Sequence, residues 1–301
     1  MYKLDKTHAV KRLSEETKAA LTVESGSVVE LDTWSCFGNQ TLPEMRGTLQ
    51  IDQSLAGNPS TGPVFVEGAE PGDVLKVEIL EITPTTDPVM AMDDTMGVFA
   101  KEIPEHILTY FKMQDNTIEF DEHCTVPVRC MLGVIGTAPA APAESDMLAP
   151  GSQGGNMDCR RIVAGSTVYL PVNVEGGLLV LGDVHAAMGD GEVCGCGAEV
   201  EATVKIKVSV LKDAAYPCPM ILSDGYAMTV YSHVSLDEAA DEATRRMHRF
   251  IQKELGMPYA EAGMLLSLVS DVRICQIVDP VKTCRLEVPM EVFEAYGYQF
   301  K

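Results

Sequence analysis

Two long segments of this sequence alternate between apolar and polar residues, and this pattern constrains the fold more than any other feature. In residues 74–82 the apolar positions include Leu75, Val77 and Ile79, with charged residues between them. Residues 203–211 repeat the pattern, with valine and isoleucine alternating with lysine and serine. A period of two is typical of half-buried strands in antiparallel sheets. Clusters of Gly, Pro, Asn and Asp separate such runs, so the sequence predicts a mainly β protein with a sandwich or barrel architecture.

Helical periodicity is confined to the last part of the chain. Apolar residues recur at helical spacing over about 236–256, and Ser235 and Glu238 form a capping box at the start of this segment. A second, shorter helix is predicted over about 259–269. These late helices add a small α+β portion to the β architecture.

One internal stretch could divide the chain. Residues 136–155 are rich in Ala, Pro, Gly and Ser, which is typical of a linker and also of a long loop over a site. We favour the loop, because the most unusual polar residues follow it directly. Residues 1–301 are therefore expected to form one unit, in which two closely packed β lobes could cover about 1–135 and 156–301.

The overall charge narrows the range of partners. The chain has 301 residues and a formal net charge of -21, so it would repel nucleic-acid phosphates. The excess of carboxylates either keeps the protein in solution or holds a cation. We expect no membrane association, because no run reaches the roughly 18 apolar residues of a spanning helix. Nine cysteines without a Cys-x-x-Cys pair indicate free thiols in a reducing compartment, so a cytoplasmic location is expected.

The densest polar cluster lies at residues 182–192. It contains Asp183, His185, Asp190 and Glu192, together with glycines that permit sharp turns, between two apolar strands. Imidazole and carboxylate groups together suit a borderline divalent metal ion such as zinc. An acidic hairpin without any ion would have a similar composition.

Two further segments hold candidate residues. Asp158 follows a glycine turn at residues 154–155, and it could be a metal ligand or a turn residue paired with a neighbouring arginine. Near the start of the chain, Trp34 is the only tryptophan and lies close to the amide side chains of Asn39 and Gln40. Such amides could orient a small polar substrate.

Several of these segments resemble the signature motifs of the acetamidase/formamidase family. The matching runs are NPSTGPVFVEGAEPGD at 58–73, GNMD at 155–158, STVYLP at 166–171, GDVHAAMGDGE at 182–192 and EAGMLLSLVSD at 261–271. The resemblance covers nearly the whole chain. It implies a metal-dependent hydrolase that cleaves small linear amides, with a homodimer as the expected assembly. Two positions depart from the family pattern, Ser35 where an aspartate is frequent and Met188 where a glutamine is frequent.

The chemistry of amide hydrolysis suggests roles for the candidates. Asp158 and His185 are predicted metal ligands, with Asp183 or Asp190 completing the set. Zinc is the expected ion, and calcium could occupy an additional structural site.

The remaining roles concern the proton and the substrate. Glu199 is the first choice for the general base and Glu192 the second. Asn39, Gln40 and Trp34 are predicted to contact the substrate.

Alternatives from other classes remain open at this point. A β-sandwich with an Asp/Gly-rich loop could be a non-catalytic, calcium-dependent binding module, although His185 does not suit calcium. A cysteine nucleophile is conceivable at Cys159, which lies beside Arg160. A purely structural protein would leave the 182–192 cluster unexplained.

Overall fold

The computed structural model describes residues 1–38, 57–92, 94–103, 107–140 and 142–301. Asn39 and Gln40 lie outside the described residues. The strands are β1 (Tyr2–Leu4), β2 (Ala9–Val10), β3 (Arg12–Leu13), β4 (Leu21–Val23), β5 (Ser27–Thr33), β6 (Ser60–Val66), β7 (Val74–Pro84), β8 (Val89–Met92), β9 (Ile107–Tyr110), β10 (Lys112–Gln114), β11 (Thr117–Glu119), β12 (Thr125–Pro127), β13 (Met131–Gly136), β14 (Ser145–Asp146), β15 (Gly154–Asn156), β16 (Thr167–Pro171), β17 (Leu179–His185), β18 (Glu199–Val200), β19 (Ala202–Leu211), β20 (Met220–Ser223), β21 (Tyr226–His233), β22 (Asp271–Gln276) and β23 (Lys282–Pro289). The helices are α1 (Leu236–Leu255), α2 (Tyr259–Val269) and α3 (Met290–Ala295).

Most strands belong to two large sheets, which confirms the mainly β prediction. Sheet A has the order β1-β5-β19-β7-β16-β20-β21-β23-β22. Sheet B has the order β15-β13-β17-β18-β8-β9, and β6 pairs with β17 and carries β2 and β4. Both sheets combine strands from before and after residues 136–155. That stretch therefore does not separate one sheet from the other.

The two alternating segments form the centre of sheet A. β7 and β19 pair antiparallel over their whole length, and their apolar side chains face the core. The register shifts by one residue between Lys205 and Ile206, which leaves Leu80 as a bulged residue. Leu80 is 45% exposed although it continues an apolar run. The bulge thus explains why the alternation does not continue through this position.

The main core lies between the two sheets. Val77 and Ile206 from sheet A belong to the same buried cluster as Leu132 and Leu181 from sheet B. Burial of this apolar surface is the main favourable term in folding. The cluster also fixes the strands of sheet B that carry the polar residues described below.

The helices pack against the opposite side of sheet A. Met247, Phe250 and Ile251 of α1 form a second buried cluster with Tyr169 and Leu286 of the sheet. The sequence-based prediction of this helix is confirmed at both ends. The Ser235 hydroxyl accepts a hydrogen bond from the Glu238 amide at 3.4 Å, and Gly256 ends the helix at φ 64°. Within the described ranges, no helix has the length and apolar character needed to cross a bilayer.

Candidate active site

Four acidic side chains surround one histidine where several strands of sheet B end. Asp158 follows β15, Asp183 and His185 end β17, Glu192 lies in the next loop, and Glu199 begins β18. All five side chains are buried. β17 and β18 pair so that His185 lies opposite Glu199. We refer to Asp158, Asp183, Glu192 and Glu199 as the carboxylate cluster.

The imidazole is the centre of this arrangement. His185 Nε2 lies 3.0 Å from Glu199 Oε1, 3.6 Å from Asp183 Oδ1 and 4.0 Å from Asp158 Oδ1. Ligand atoms of Asp158, His185 and Glu192 all lie within 4.8 Å of one another. The fold therefore brings together Asp158 and His185, which the sequence analysis selected as ligands, although they are far apart in sequence.

The backbone of this region adopts a conformation that non-glycine residues rarely use. Asp158, Asp183 and Glu192 have positive φ angles of 43°, 55° and 49°, and Asn58 beside them has 51°. The left-handed region costs energy for residues with a side chain, and such residues concentrate at functional sites. This concentration of unusual backbone marks the cluster as a candidate active site.

Two glycines make room for the cluster. A Cβ atom at Gly133 would lie 2.5 Å from both Asp158 Oδ1 and Asp183 Oδ2. A Cβ atom at Gly197 would lie 2.4 Å from the His185 ring. Because no real side chain tolerates such contacts, only glycine allows the acidic groups and the imidazole to approach these strands so closely.

Burial and mutual repulsion dominate the electrostatics. Burial, and then the neighbouring acids Glu192 and Asp183, raise the pKa of Asp158 well above its usual range. Burial likewise raises the pKa of Glu192 well above its usual range. Burial opposes the charge on His185, yet the carboxylates of Glu199 and Asp183 raise its pKa well above the usual value. Each buried carboxylate therefore demands a compensating positive charge or a proton.

The protein itself supplies little of that charge. Within the described ranges, no lysine or arginine forms an ion pair with the carboxylate cluster, so His185 is its one cationic partner. Asp158 Oδ1, Glu199 Oε2 and His185 Nδ1 are buried and have no hydrogen-bond partner. Buried polar atoms without partners are rare, because they lose solvation without compensation. Oxygen and imidazole nitrogen donors of this kind fit a divalent cation such as zinc.

A cavity of about 260 Å³ opens onto the cluster. Its polar wall includes Asn58, Asn156 and Asp279, and its apolar wall includes Met96 and Leu148. Leu148 comes from the Ala/Pro-rich stretch, so part of that stretch is a loop over this cavity. The volume suits a ligand of a few heavy atoms.

Asp279 and Asn156 were not selected from the sequence. Asn156 Nδ2 donates a hydrogen bond to Asp279 Oδ2 at 2.8 Å. The other side-chain atom of Asn156, Oδ1, is buried without a hydrogen-bond partner. Burial, and then the charge of Asp183, raise the pKa of Asp279 to about 7. The turn before β23 is held by Gln276, whose Oε1 accepts from the amides of Val278 and Asp279. The only sequence signal was an Asp-Pro pair, which is common in turns.

Asp190 requires a correction. Both of its carboxylate oxygens accept hydrogen bonds from the guanidinium of Arg285 at 2.8 Å, and Arg285 is buried. A bidentate pair of this kind occupies the groups that a metal ion would need. Asp190 instead attaches the loop that carries Glu192 to β23, and the neighbouring Gly191 amide attaches it to β22 by donating to Cys275 O at 2.8 Å.

Among the described residues of the early segment, Trp34 does not line the cavity, while Asn39 and Gln40 lie outside the described residues. Trp34 is half-buried with the Lys6 ammonium 4.0 Å above its ring, whereas Cys36 and Phe37 line the cavity. Ser35 is buried and donates to Gly38 O at 3.1 Å. The candidate nucleophile Cys159 is fully buried and lies beside Arg285, away from the cavity wall.

Comparison with known proteins places these residues in a wider context. A sequence profile described as the acetamidase/formamidase family matches residues 2–149 and 142–295. A formamidase of Methylophilus methylotrophus is 26% identical, over 78% of this chain and 76% of its own. A predicted acetamidase/formamidase from the thermophile Thermoanaerobacter tengcongensis superposes with a TM-score of 0.95 at 37% identity, covering 99% of each chain. An acetamidase from Bacillus halodurans superposes with a TM-score of 0.94 at 38% identity, over 98% of this chain and 100% of its own.

Proposed function

Because this chain belongs to the acetamidase/formamidase family, we propose that it is an amidase that hydrolyses a small linear amide to a carboxylate and ammonia with the help of a divalent metal ion. The observation that carries the metal dependence is the buried carboxylate cluster, with its unpaired oxygens around His185. A small amide is consistent with the cavity of about 260 Å³. The presence of an imidazole among the donors favours this proposal over a calcium-dependent binding module.

The metal site in this proposal uses Asp158, His185 and Asp183. When bound there, a zinc ion supplies a Lewis acid that polarises the amide carbonyl and lowers the pKa of water toward about 7. Asn58 Nδ2 donates to Asp183 Oδ2 at 3.1 Å and orients that carboxylate. An additional structural calcium ion and the homodimeric assembly remain part of the proposal.

The chain's own groups handle the proton and the substrate. We assign Glu199 as the general base, since its Oε2 is buried and unpaired while its Oε1 is fixed by the Gly197 amide at 3.0 Å. Glu199 takes a proton from the attacking water and returns it to the departing nitrogen, so that amide and water become carboxylate and ammonia. The side-chain oxygen of Asn156, Oδ1, has no partner and is suited to accept a hydrogen bond from the substrate NH₂ group. Substrate contacts by Asn39 and Gln40 also belong to this proposal.

The proposal predicts a defined metal content together with ammonia release. We expect about one zinc ion per chain by elemental mass spectrometry, and ammonia release from formamide or acetamide. Dialysis against a chelator should abolish turnover, and added zinc should restore it, because the carbonyl then regains its Lewis acid. Full activity in metal-free protein would contradict the metal dependence. Failure to cleave any linear amide would contradict the proposed function itself.

A further inference from the structure

A second, larger cavity lies beside the candidate active site. It has a volume of about 570 Å³ and lies between the 187–198 segment and the small sheet formed by β10, β11 and β12. Most of its surface is apolar. Its apolar side chains include Met90, Phe111, Ile118, Phe120, Val126 and Met188. Phe111 and Phe120 stack with their ring centroids 5.6 Å apart and form part of its wall. We call this space the apolar cavity.

The apolar cavity shares residues with the site itself. Glu192 and Cys196 line both this cavity and the smaller one that opens onto the carboxylate cluster. Gly197, which also lines the apolar cavity, lies against the His185 ring. The two cavities therefore adjoin along a single short segment of chain that contains Glu192 and Cys196.

Four charged residues line the apolar cavity, Arg129, Arg160, Asp190 and Glu192, and two of them are held in ion pairs. Asp190 is paired with Arg285, and Arg129 is paired with Asp224. Between the sheet of β10–β12 and Met188, the lining of the cavity is mainly apolar. An exposed apolar surface of this kind is typical of ligand-binding sites, and Phe120 remains 56% exposed at its rim.

We infer that the apolar cavity holds the acyl chain of the substrate, so that the preferred amides carry an unbranched or aromatic apolar group longer than that of acetamide. This inference rests on the proposed amide hydrolysis. The smaller cavity has room for the amide group itself, and the chain beyond the carbonyl passes Glu192 into the apolar cavity. Each additional methylene is then removed from water and gains binding energy in the transition state.

A series of straight-chain amides tests the inference. From acetamide to hexanamide, kcat/KM is expected to rise about three- to fourfold per methylene, on the order of 10²-fold in total. Val126→Trp fills the apolar cavity and should lower kcat/KM for hexanamide at least about tenfold while acetamide changes less than about twofold. Phe120→Ala, at an exposed position, should lower the hexanamide value a few-fold without affecting folding. Phe99→Ala is the matched control, since Phe99 is exposed outside the cavity.

Binding measurements separate this inference from the proposed function. Calorimetry should find that hexanoate, the product, binds more tightly than acetate, and that Val126→Trp removes the difference. If acetamide is cleaved but longer amides gain nothing, or if both variants keep the gain, the inference is overturned and the amidase proposal stands. If no amide is cleaved, the amidase proposal fails, and equal binding of hexanoate and acetate overturns the inference as well.

A different surface supports a second inference. β22 is the last strand of sheet A, and its residues Asp271–Ile274 are exposed. The helix α2, which Ser270 joins to β22, exposes Tyr259, Met264 and Leu268 by 73%, 60% and 83%. Exposed sheet edges readily pair with another strand, and large exposed apolar side chains mark interaction surfaces.

The charges on β22 are complementary to those of a second β22. If two copies pair antiparallel about Val272, Asp271 of each copy lies opposite Arg273 of the other. Both side chains are more than half exposed, lie on the same face because they are two residues apart, and form an ion pair 3.1 Å long within one chain. Opposite charges in facing positions stabilise a pair of strands, and like charges destabilise it. A two-fold arrangement of this kind is the commonest form of homodimer.

We propose that β22 and α2 form the interface with a second copy of this chain. The wild-type protein is expected to be a dimer in sedimentation and light-scattering measurements. Arg273→Asp places carboxylates opposite carboxylates and should raise the dimer Kd at least about tenfold. The double variant Asp271→Arg, Arg273→Asp restores opposite charges and should restore the dimer. Arg245→Asp, on the exposed face of α1, is the matched control.

The outcomes are distinct. A monomeric wild-type protein would overturn the interface, and so would a dimer whose Kd does not respond to Arg273→Asp. Circular dichroism verifies that each variant is folded. A folded double variant that remains monomeric would also contradict the register about Val272.

Discussion

Glu199→Gln is expected to lower turnover by about 10²–10⁴-fold while the protein keeps its fold and its metal. Glutamine preserves the shape of the side chain, and its amide oxygen can still accept from the Gly197 amide, which is 3.0 Å from Glu199 Oε1 in the structure. It has no oxygen that can take a proton from water. The substitution relieves repulsion within the carboxylate cluster and also removes the nearest counter-charge of His185, 3.0 Å away, so circular dichroism should verify the fold. Steady-state ammonia release and elemental analysis together measure the effect.

Two matched variants make this result specific. Glu192→Gln tests the other glutamate of the cluster. Glu201→Gln is the control, because Glu201 lies two residues after Glu199, outside the cavity, and forms an ion pair with Lys6. Glu201→Gln should stay within about twofold of the wild-type turnover. If Glu199→Gln is active while Glu192→Gln is inactive, the base is Glu192. If both are active and metal removal still stops the reaction, neither glutamate is the base.

His185→Ala should lose metal and activity together. The proposed ligands share this imidazole as their one nitrogen donor, and no other histidine in the described ranges lies in the cluster. Loss of the Lewis acid should lower turnover on the order of 10³-fold or more. The carboxylate cluster also loses its one cationic neighbour, so its acids should bind protons at higher pH than before.

The control for this substitution is His248→Ala, because His248 lies on α1 and its ring contacts Tyr259 far from the cluster. It should keep wild-type metal content and turnover. A folded His185→Ala protein that retains one metal ion per chain would show that His185 is not a ligand. In that case the imidazole acts as a charged partner of the acids.

Local patterns predicted the parts of this protein that depend on neighbours in sequence. The strands β7 and β19 and the helix after Ser235 follow from periodicity and capping, which operate over a few residues. The grouping of Asp158 with His185 was also predicted, because Asp158 follows a glycine turn and His185 follows an apolar strand, in motifs expected to converge at one end of a sheet. The reaction itself, hydrolysis of a small linear amide, was predicted only from the resemblance to family motifs, because the residues alone left several functions open.

Long-range contacts set the limit of such prediction. Nothing near Asp190 indicates that its partner is Arg285, which is 95 positions away. Asp279 lines the cavity and accepts a hydrogen bond from Asn156, which is 123 positions away in sequence. In the sequence alone, Asp279 looks like an ordinary turn residue. The bulge at Leu80 is likewise visible only in the pairing of β7 with β19.

The interleaving of early and late strands has a consequence for how the chain is made. β5 and β7 leave the ribosome long before β19, the strand that lies between them in sheet A. At about 5–20 residues per second, β5 waits roughly 10–40 s for that neighbour, with apolar side chains uncovered. Contacts of such long range also close slowly, because much chain entropy is lost before they form. Sheet A is therefore the part of the nascent protein that most depends on protection from aggregation during synthesis.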